Sequence, residues 1–394
     1  MNGHGGNLHS LRDLPGTYEK SGLGIIPTVI DEPLPQADGT VGGFAKFSGA
    51  KFSLPPAGLG LSDLAGGHKN LWETAVKVLD YLGIAHKDTN LSNDLNQEHS
   101  HLRSYSSIVL TPIEIDSLVK SLEKSLGQVG IPVVKGNCQN IDKNGNRITT
   151  TIKQNGIIKK FTSENIIYAG GRLGVDILKN AGIIATDGKG IDIGVRVEFF
   201  NHKGLRALRD LGPDAKIIKN NCRTFCLNVP GEIYRYRFGE LMIPGGIVAS
   251  PENTSSNVGI LLRLKDKEAV LKRIKEKSSK IEKKYLEKGV RVANGIFGAT
   301  SHIMDEIYGE ENKASLESFA KFLNERKLID WSQPHDIHLP LIDWHWETFG
   351  RPNTFKTSEE SVYCIGDASG HARGLLQAAI SGYLAAEELS REYE

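Results

Sequence analysis

Apolar positions recur along the chain at two different periods. Leu71, Ala75, Val78, Leu79 and Leu82 fall on one helical face, which predicts a helix from about Lys69 to Leu82. A second stripe, Ile115, Leu118, Leu122 and Leu126, follows Thr111 as N-cap, Pro112 at the first helical position and Glu114 at the capping-box position. That helix is predicted over 110–127, with Gly127 or Gly130 as its stop. Short β-type runs follow. Ile131–Val134, Arg147–Ile152 and Ile157–Phe161 are joined by turns holding Asn144-Gly145 and Asn155-Gly156, and predict a three-strand meander. Asn165–Ala169 is a continuous apolar run of the buried parallel-strand type, closed by Gly170-Gly171-Arg172-Leu173-Gly174.

Between 180 and 260 the pattern is β-rich, with strands expected at Ile191–Phe199, Ala215–Lys219, Arg223–Leu227, Ile233–Phe238 and Gly259–Leu264. Residues 266–288 read as one charged amphipathic helix turning Val270, Ile274, Ile281 and Tyr285 inward. Its lysines alternate with Glu268, Glu276, Glu282 and Glu287, the composition of a solvated face. Ser315–Arg326 predicts another helix. The tail returns to strand, glycine turn and helix: Val362–Asp367, then a helix from about Gly374 to Leu389. Residues 1–67 are rich in glycine and proline and read as loops with short strands such as Gly24–Ile30.

Composition narrows the function classes. A chain of 394 residues is long enough for two or three domains. A net charge of +1 provides no electrostatic footprint for nucleic acid or an anionic membrane. No basic stretch leads into an apolar core at the N-terminus, and no apolar run reaches membrane-spanning length, so a cytoplasmic protein is expected. Cys138, Cys222, Cys226 and Cys364 are scattered; Cys222 and Cys226 stand as Cys-x-x-x-Cys, a poor match to a zinc or thioredoxin pattern. His335-x-x-His338, with Asp343 and His345, lies among Trp331, Trp344 and Trp346; a loop packed on aromatics is expected there rather than a metal site.

The tail carries the most specific pattern. A buried strand ends at Gly366-Asp367, and Arg373-Gly374-Leu375 opens a helix studded with Ala378, Ala379 and Gly382. The glycines allow close backbone approach, and a helix start presents unpaired N–H groups and partial positive charge. Asp367 is placed to accept hydrogen bonds from sugar-like hydroxyls. From the pattern alone, an ordinary turn with a packing helix accounts for these residues equally well.

This arrangement resembles the second FAD motif of FAD-dependent oxidoreductases in the glutathione-reductase structural class. The meander followed by Ile166–Gly174 is similar to a further part of that class. Asp192–Glu198, Arg223–Cys226 and the loop Gly42–Ser53 resemble its uncharacterised branch of NAD(FAD)-utilising dehydrogenases. The resemblance runs in order from roughly 40 to 390. It implies an α/β fold: a Rossmann-like FAD/NAD(P)-binding domain from 1–185 and 355–394, with a mainly β substrate domain, 186–354, inserted. It implies FAD as cofactor, Asp367 on its ribityl chain and Gly374 and Leu375 near its ring system. Gly366, Gly171 and Arg172 join that set, and Gly42, Gly43, Ser48 and Lys51 border the flavin. The region before the Gly-Asp turn would face a small-molecule substrate, with His345, Asp343 or Lys51 as candidates for acid–base or electrostatic work.

In one respect the chain departs from that class. Its opening strand, Gly-x-Gly-x-x-Gly turn and helix are missing: Gly22-Leu23-Gly24 runs into Ile25, Ile26 and Pro27, and Gly58-Leu59-Gly60 follows no apolar strand. A truncated start, a second polypeptide carrying that unit, or a degenerate, non-catalytic flavoprotein-like subunit would each account for this. No second such motif marks a pyridine-nucleotide site.

Overall fold

The computed structural model describes residues 27–32, 42, 48–86, 95–97, 100–186, 190–293 and 295–394. The chain begins with β1 (Val29–Asp31), β2 (Lys51–Ser53), α1 (His68–Leu82), β3 (Leu95–Gln97), β4 (Ser100–Arg103), β5 (Ser107–Val109) and α2 (Pro112–Gln128). Next come β6 (Val133–Lys135), β7 (Asn137–Asn144), β8 (Arg147–Gln154), β9 (Ile157–Ser163), β10 (Ile166–Tyr168) and α3 (Asp176–Asn180). The β-rich middle holds β11 (Ile191–Phe199), α4 (Arg206–Asp210), β12 (Lys216–Lys219), β13 (Cys222–Asn228), β14 (Gly231–Phe238), β15 (Leu241–Val248) and β16 (Ser256–Leu264). Then follow α5 (Lys267–Ser278), α6 (Lys283–Glu287), β17 (Val290–Val292), α7 (Thr300–Tyr308), α8 (Glu310–Glu325), β18 (His335–Asp343), β19 (Val362–Cys364) and α9 (Leu375–Arg391).

The result is a mixed α/β fold. Its largest sheet has eight strands in the order β17-β18-β11-β16-β13-β12-β4-β3. β11 lies near its middle and is buried along almost its whole length, between antiparallel β16 and β18. Ile193, Val195, Val197, Ile260 and Leu262 pack there with Met304, Ile307, Leu316 and Leu323 of α7 and α8. A second core joins α1, α2 and α9, with Leu71, Val78, Ile115, Leu376 and Ile380 among its members. Two short parallel pairs complete the site-forming frame: β1 with β6, and β10 with β19.

Several local expectations match. Thr111 caps α2 through a reciprocal capping box with Glu114. The helix closes with Gly130 at φ 77° and Ile131 N–H on Leu126 O, a Schellman stop. Asn155 and Gly156 both have positive φ, as a two-residue type I′ hairpin requires.

Others are corrected. The first meander strand is β7; Ile131–Val134 instead leads into β6, which pairs in parallel with β1. The turn between β7 and β8 centres on Gly145-Asn146, with positive φ at Gly145. The single helix expected over 266–288 is broken into α5 and α6 at residues 279–282. β15, which contains Pro244, Gly245 and Gly246, and helix α7 were unmarked by periodicity. His335 and His338 lie on β18, an interior strand of the large sheet, and not in a loop. Among the described residues no helix is long and apolar enough to cross a membrane.

Candidate functional site

β10 and β19 run parallel, with Tyr168 opposite Cys364, and Ile365 N–H extends the pairing to Tyr168 O at 3.0 Å. The chain then turns sharply. Gly366 (φ 65°), Gly370 (φ 80°) and Gly374 (φ 122°) occupy backbone conformations that side-chain-bearing residues avoid. A Cβ at Gly370 would also sit 2.8 Å from Thr348 Cβ. Helix α9 starts behind Gly374 with no side-chain cap, and its first backbone bond is Ala378 N–H to Gly374 O at 2.9 Å. The N–H groups of Leu375, Leu376 and Gln377 precede that bond and lack helical acceptors. Gln377 is held instead through its side chain, which donates to Ser53 O at 2.7 Å. Asp367 is 1% exposed; its carbonyl accepts Trp346 Nε1–H at 3.0 Å, and Arg373 Nε lies 3.8 Å from its carboxylate.

Asp343 ends β18 directly opposite Asp192 of β11. Two adjacent buried carboxylates repel unless cations lie between them. Here arginines from four segments do so. Arg172 (3.3 Å), Arg223 (3.7 Å) and Arg373 reach Asp343, while Arg223 and Arg263 reach Asp192. Burial alone would raise the Asp343 pKa, but Arg373, Arg172 and Arg223 together bring it down to about 2. A carboxyl that ionises there is a poor acid near neutrality, so its role is charge pairing. Burial also depresses Arg223 below its ordinary value.

Trp344, at φ 56°, turns the chain out of β18 and stacks on Trp346 with centroids 5.2 Å apart. His345 between them is 4% exposed, and neither ring nitrogen has a hydrogen-bond partner. Burial, then Arg172, lowers its pKa to about 3, so the imidazole is neutral.

Phe225 links this cluster to a second one. Its ring centroid lies 5.6 Å from the Arg373 guanidinium carbon and 5.9 Å from that of Arg196. Arg196, 1% exposed, donates to Asn257 Oδ1 at 2.6 Å and to Cys226 O at 3.2 Å. Lys51 Nζ donates to Leu227 O and stands 3.7 Å from Asp214. Burial lowers the Lys51 pKa against the pull of Asp214. The Cys226 thiol is held below its ordinary value: burial opposes ionisation, but Arg196, Lys51 and a hydrogen bond from Asn228 outweigh it.

The sequence-derived site residues therefore divide. Arg172, Asp343, His345, Gly366, Asp367, Gly374 and Leu375 belong to one neighbourhood, with Gly171 (φ 63°) opening the turn that carries Arg172. Lys51 is instead held by Leu227 O and Asp214. Ser48 holds the β15 end through Val248 N–H at 3.0 Å. Gly42 instead donates its N–H to Asp31 Oδ2 at 2.7 Å, on the β1–β6 pair. Gly43 lies outside the described residues. His338 is committed to Glu198 and Arg235, both at 2.9 Å, and His335 to the carbonyls of Gln333 and Ile296. Among the described residues no three His, Cys, Asp or Glu side chains converge as a metal set.

Asp192, Arg196, Arg223, Arg263 and Arg373 were not singled out as site residues from the sequence. One signal was present: Asp192 and Arg196 interrupt the otherwise apolar Ile191–Val197, four residues apart and so on one face of a strand.

No protein-family model matches the chain, nor does any curated protein sequence. A solved structure of a flavoprotein/dehydrogenase from Cytophaga hutchinsonii is 14% identical, with a TM-score of 0.44 over 98% of this chain and 78% of that one. CmlS, a flavin-dependent halogenase, is 13% identical at a TM-score of 0.44, covering 99% of this chain, which spans 56% of the halogenase. Tetracycline destructase Tet(51) is 11% identical at a TM-score of 0.39, over 98% of this chain and 80% of that one. These TM-scores are all below 0.5, and such likenesses leave the cofactor and reaction to be argued from this chain's own residues.

Proposed function

We propose that this protein is a flavin-dependent oxidoreductase of the glutathione-reductase structural class, acting on a small molecule. The observation that carries the reading is the uncapped start of α9 behind the Gly366-Asp367 turn. That start is laid against a parallel strand pair and adjoined by Arg373. The fit to FAD is local and physical. Gly374 leaves the helix start bare of side chain, its first N–H groups lack helical acceptors, and Asp367 is a buried carboxylate at the strand end. In this reading Asp367 and Gly366 hold the ribityl portion. The N–H groups of Leu375 and Leu376, with Gly171 and Arg172, would hold the ring system. A flavin supplies hydride and electron transfer; the chain supplies position and field. Arg373 and the helix start would favour negative charge on the bound group. Residues 1–185 with 355–394 would bind the cofactor, and 186–354 would contribute the substrate side.

The visible spectrum of the purified chain tests this. Bands near ~370 and ~450 nm are expected from a bound flavin. Gly374→Val, which forces a branched side chain into φ 122° against Gln377, is expected to abolish them and to lower the thermal midpoint, with the spectra compared at a temperature where far-ultraviolet circular dichroism shows the variant folded. A folded, colourless protein that takes up no added FAD would overturn the proposal.

A second reading is a subunit completed by a polypeptide carrying the Gly-x-Gly-x-x-Gly unit, and one observation favours it. Val29 N–H and Asp31 C=O bond to β6, so Ile30 directs its backbone groups to the opposite edge of β1. Ile167 does the same on β10. Among the described residues no strand pairs with either edge. A chain that binds FAD alone at full stoichiometry excludes this second reading.

A further inference from the structure

Cys226 sits where β13 loses register against β16, between the pairs Phe225–Gly259 and Asn228–Asn257. Its φ of 47° is a left-handed conformation that a side-chain-bearing residue adopts at a cost, and a bulge of this kind re-aims the side chain. The thiol is partly exposed. Side chains from three segments converge on it. Asn228 Nδ2 donates to the sulfur at 3.6 Å. Arg196 of β11 donates to the Cys226 carbonyl at 3.2 Å, and Lys51 of β2, which also pairs with Asp214, donates to the next carbonyl, of Leu227.

Two polar atoms of this group are unspent. Asn228, 2% exposed, has Oδ1 buried without a donor, and Arg196 has Nε buried without an acceptor. The partners of Arg196 are Asn257 Oδ1, the Cys226 carbonyl and the Phe225 ring, all neutral. A buried guanidinium without a carboxylate is costly, and a thiolate at Cys226 offsets it. Gly49 leaves the room. The position a Cβ would take there is 3.7 Å from Cys226 Sγ and 3.1 Å from Asn228 Oδ1, so one gap borders both atoms.

We propose that Cys226 is a redox site, oxidised by hydrogen peroxide to a sulfenic acid that Asn228 holds. The thiolate sulfur attacks one peroxide oxygen and the O–O bond breaks. The sulfur gives up two electrons, the peroxide takes them, and the departing hydroxide gains a proton from solvent to become water. The new S–O–H donates to Asn228 Oδ1 across the gap at Gly49. The other sulfurs lack this setting. Cys222 and Cys364 are buried, and Cys138, also partly exposed, meets the Asn140 carbonyl instead of a cation. The assignment stands whether or not a flavin binds.

In the test, the full-length protein is reduced, freed of reductant and treated with hydrogen peroxide and dimedone, which traps sulfenic acids. Each cysteine peptide is read by mass spectrometry. At pH 7 Cys226 is expected to be trapped at least about tenfold faster than Cys138, the thiolate advantage of one pKa unit. Trapping of Cys226 no faster than of Cys138 overturns the proposal without recourse to any variant. Recovery of Cys226 as sulfinic acid with no dimedone adduct also overturns it. Arg196→Gln is expected to slow trapping about tenfold at pH 7 and to regain the native rate at alkaline pH, where the thiolate forms unaided. A slowing that persists at alkaline pH contradicts the role given to Arg196. Asn228→Ala is expected to shift the product from the dimedone adduct toward sulfinic acid, and an unchanged ratio removes Asn228 from the site.

Discussion

His345 connects one side chain to the pH dependence of the whole fold. Its folded pKa, about 3, lies below the ordinary 6.5, so the folded protein keeps the ring neutral while the unfolded chain takes up a proton. Stability contributed by this group is therefore complete above pH 6.5 and is lost as pH falls toward 3. The loss at pH 5 is about 2 kcal/mol relative to pH 7. Asp31 acts in the opposite sense, because burial raises its pKa to about 6 and favours the folded state as it protonates. Asp31 is present in both the native protein and His345→Gln, so its contribution cancels in their comparison. Urea midpoints at pH 7 and pH 5 are expected to differ by less in the variant, and an equal shift in both proteins would refute the assignment. A second residue-scale expectation concerns the thiols. Cys226 is held below its ordinary value, whereas burial pushes Cys138 up to about 11, Cys222 up to about 12 and Cys364 higher still. Limited alkylation at pH 7, read by peptide mass spectrometry, is expected to mark Cys226 before the other three.

Among the elements, α2 shows how far a local code reaches. Thr111, Pro112 and Glu114 specify its start without any tertiary contact, and Thr111 Oγ1 accepts Glu114 N–H at 3.3 Å. Thr111→Ala is expected to cost about 1 kcal/mol of stability in denaturant titration, with no effect on any bound chromophore. Asn155-Gly156 is similar, since two positive φ angles in sequence suit few other residue pairs. The elements that escaped notice lack such local marks. β15 carries Pro244 and two glycines, yet it forms a full ladder with β14 from Gly231–Val248 to Phe238–Leu241. Helix α5 stops at Ser278, and Ser279 to Glu282 form a break that the lysine and glutamate pattern passes over.

At the scale of the molecule, two cores meet around one charged neighbourhood. The large sheet supplies Asp192, Arg223, Arg263 and Asp343 from adjacent strands, and the α9 side supplies Asp367, Arg373 and the bare helix start. The Gly-Asp turn, its helix, the parallel character of Ile166–Tyr168 and most strands of the middle region were legible in the sequence. Their signals are short-range: glycine where φ is positive, small residues where a helix approaches a sheet, apolar runs where both faces are buried. Arg172 and Asp343 were legible as candidates. Their union with Arg223, Arg263 and Arg373 was not, because it depends on strand order across more than 200 residues of chain. Caps such as Thr111 to Glu114 and positive-φ turns such as Asn155-Gly156 were readable from local residues, since those preferences act within a few positions. Which charges share a site follows from the fold in three dimensions, because cross-strand register and the turn into α9 bring them within ion-pair distance.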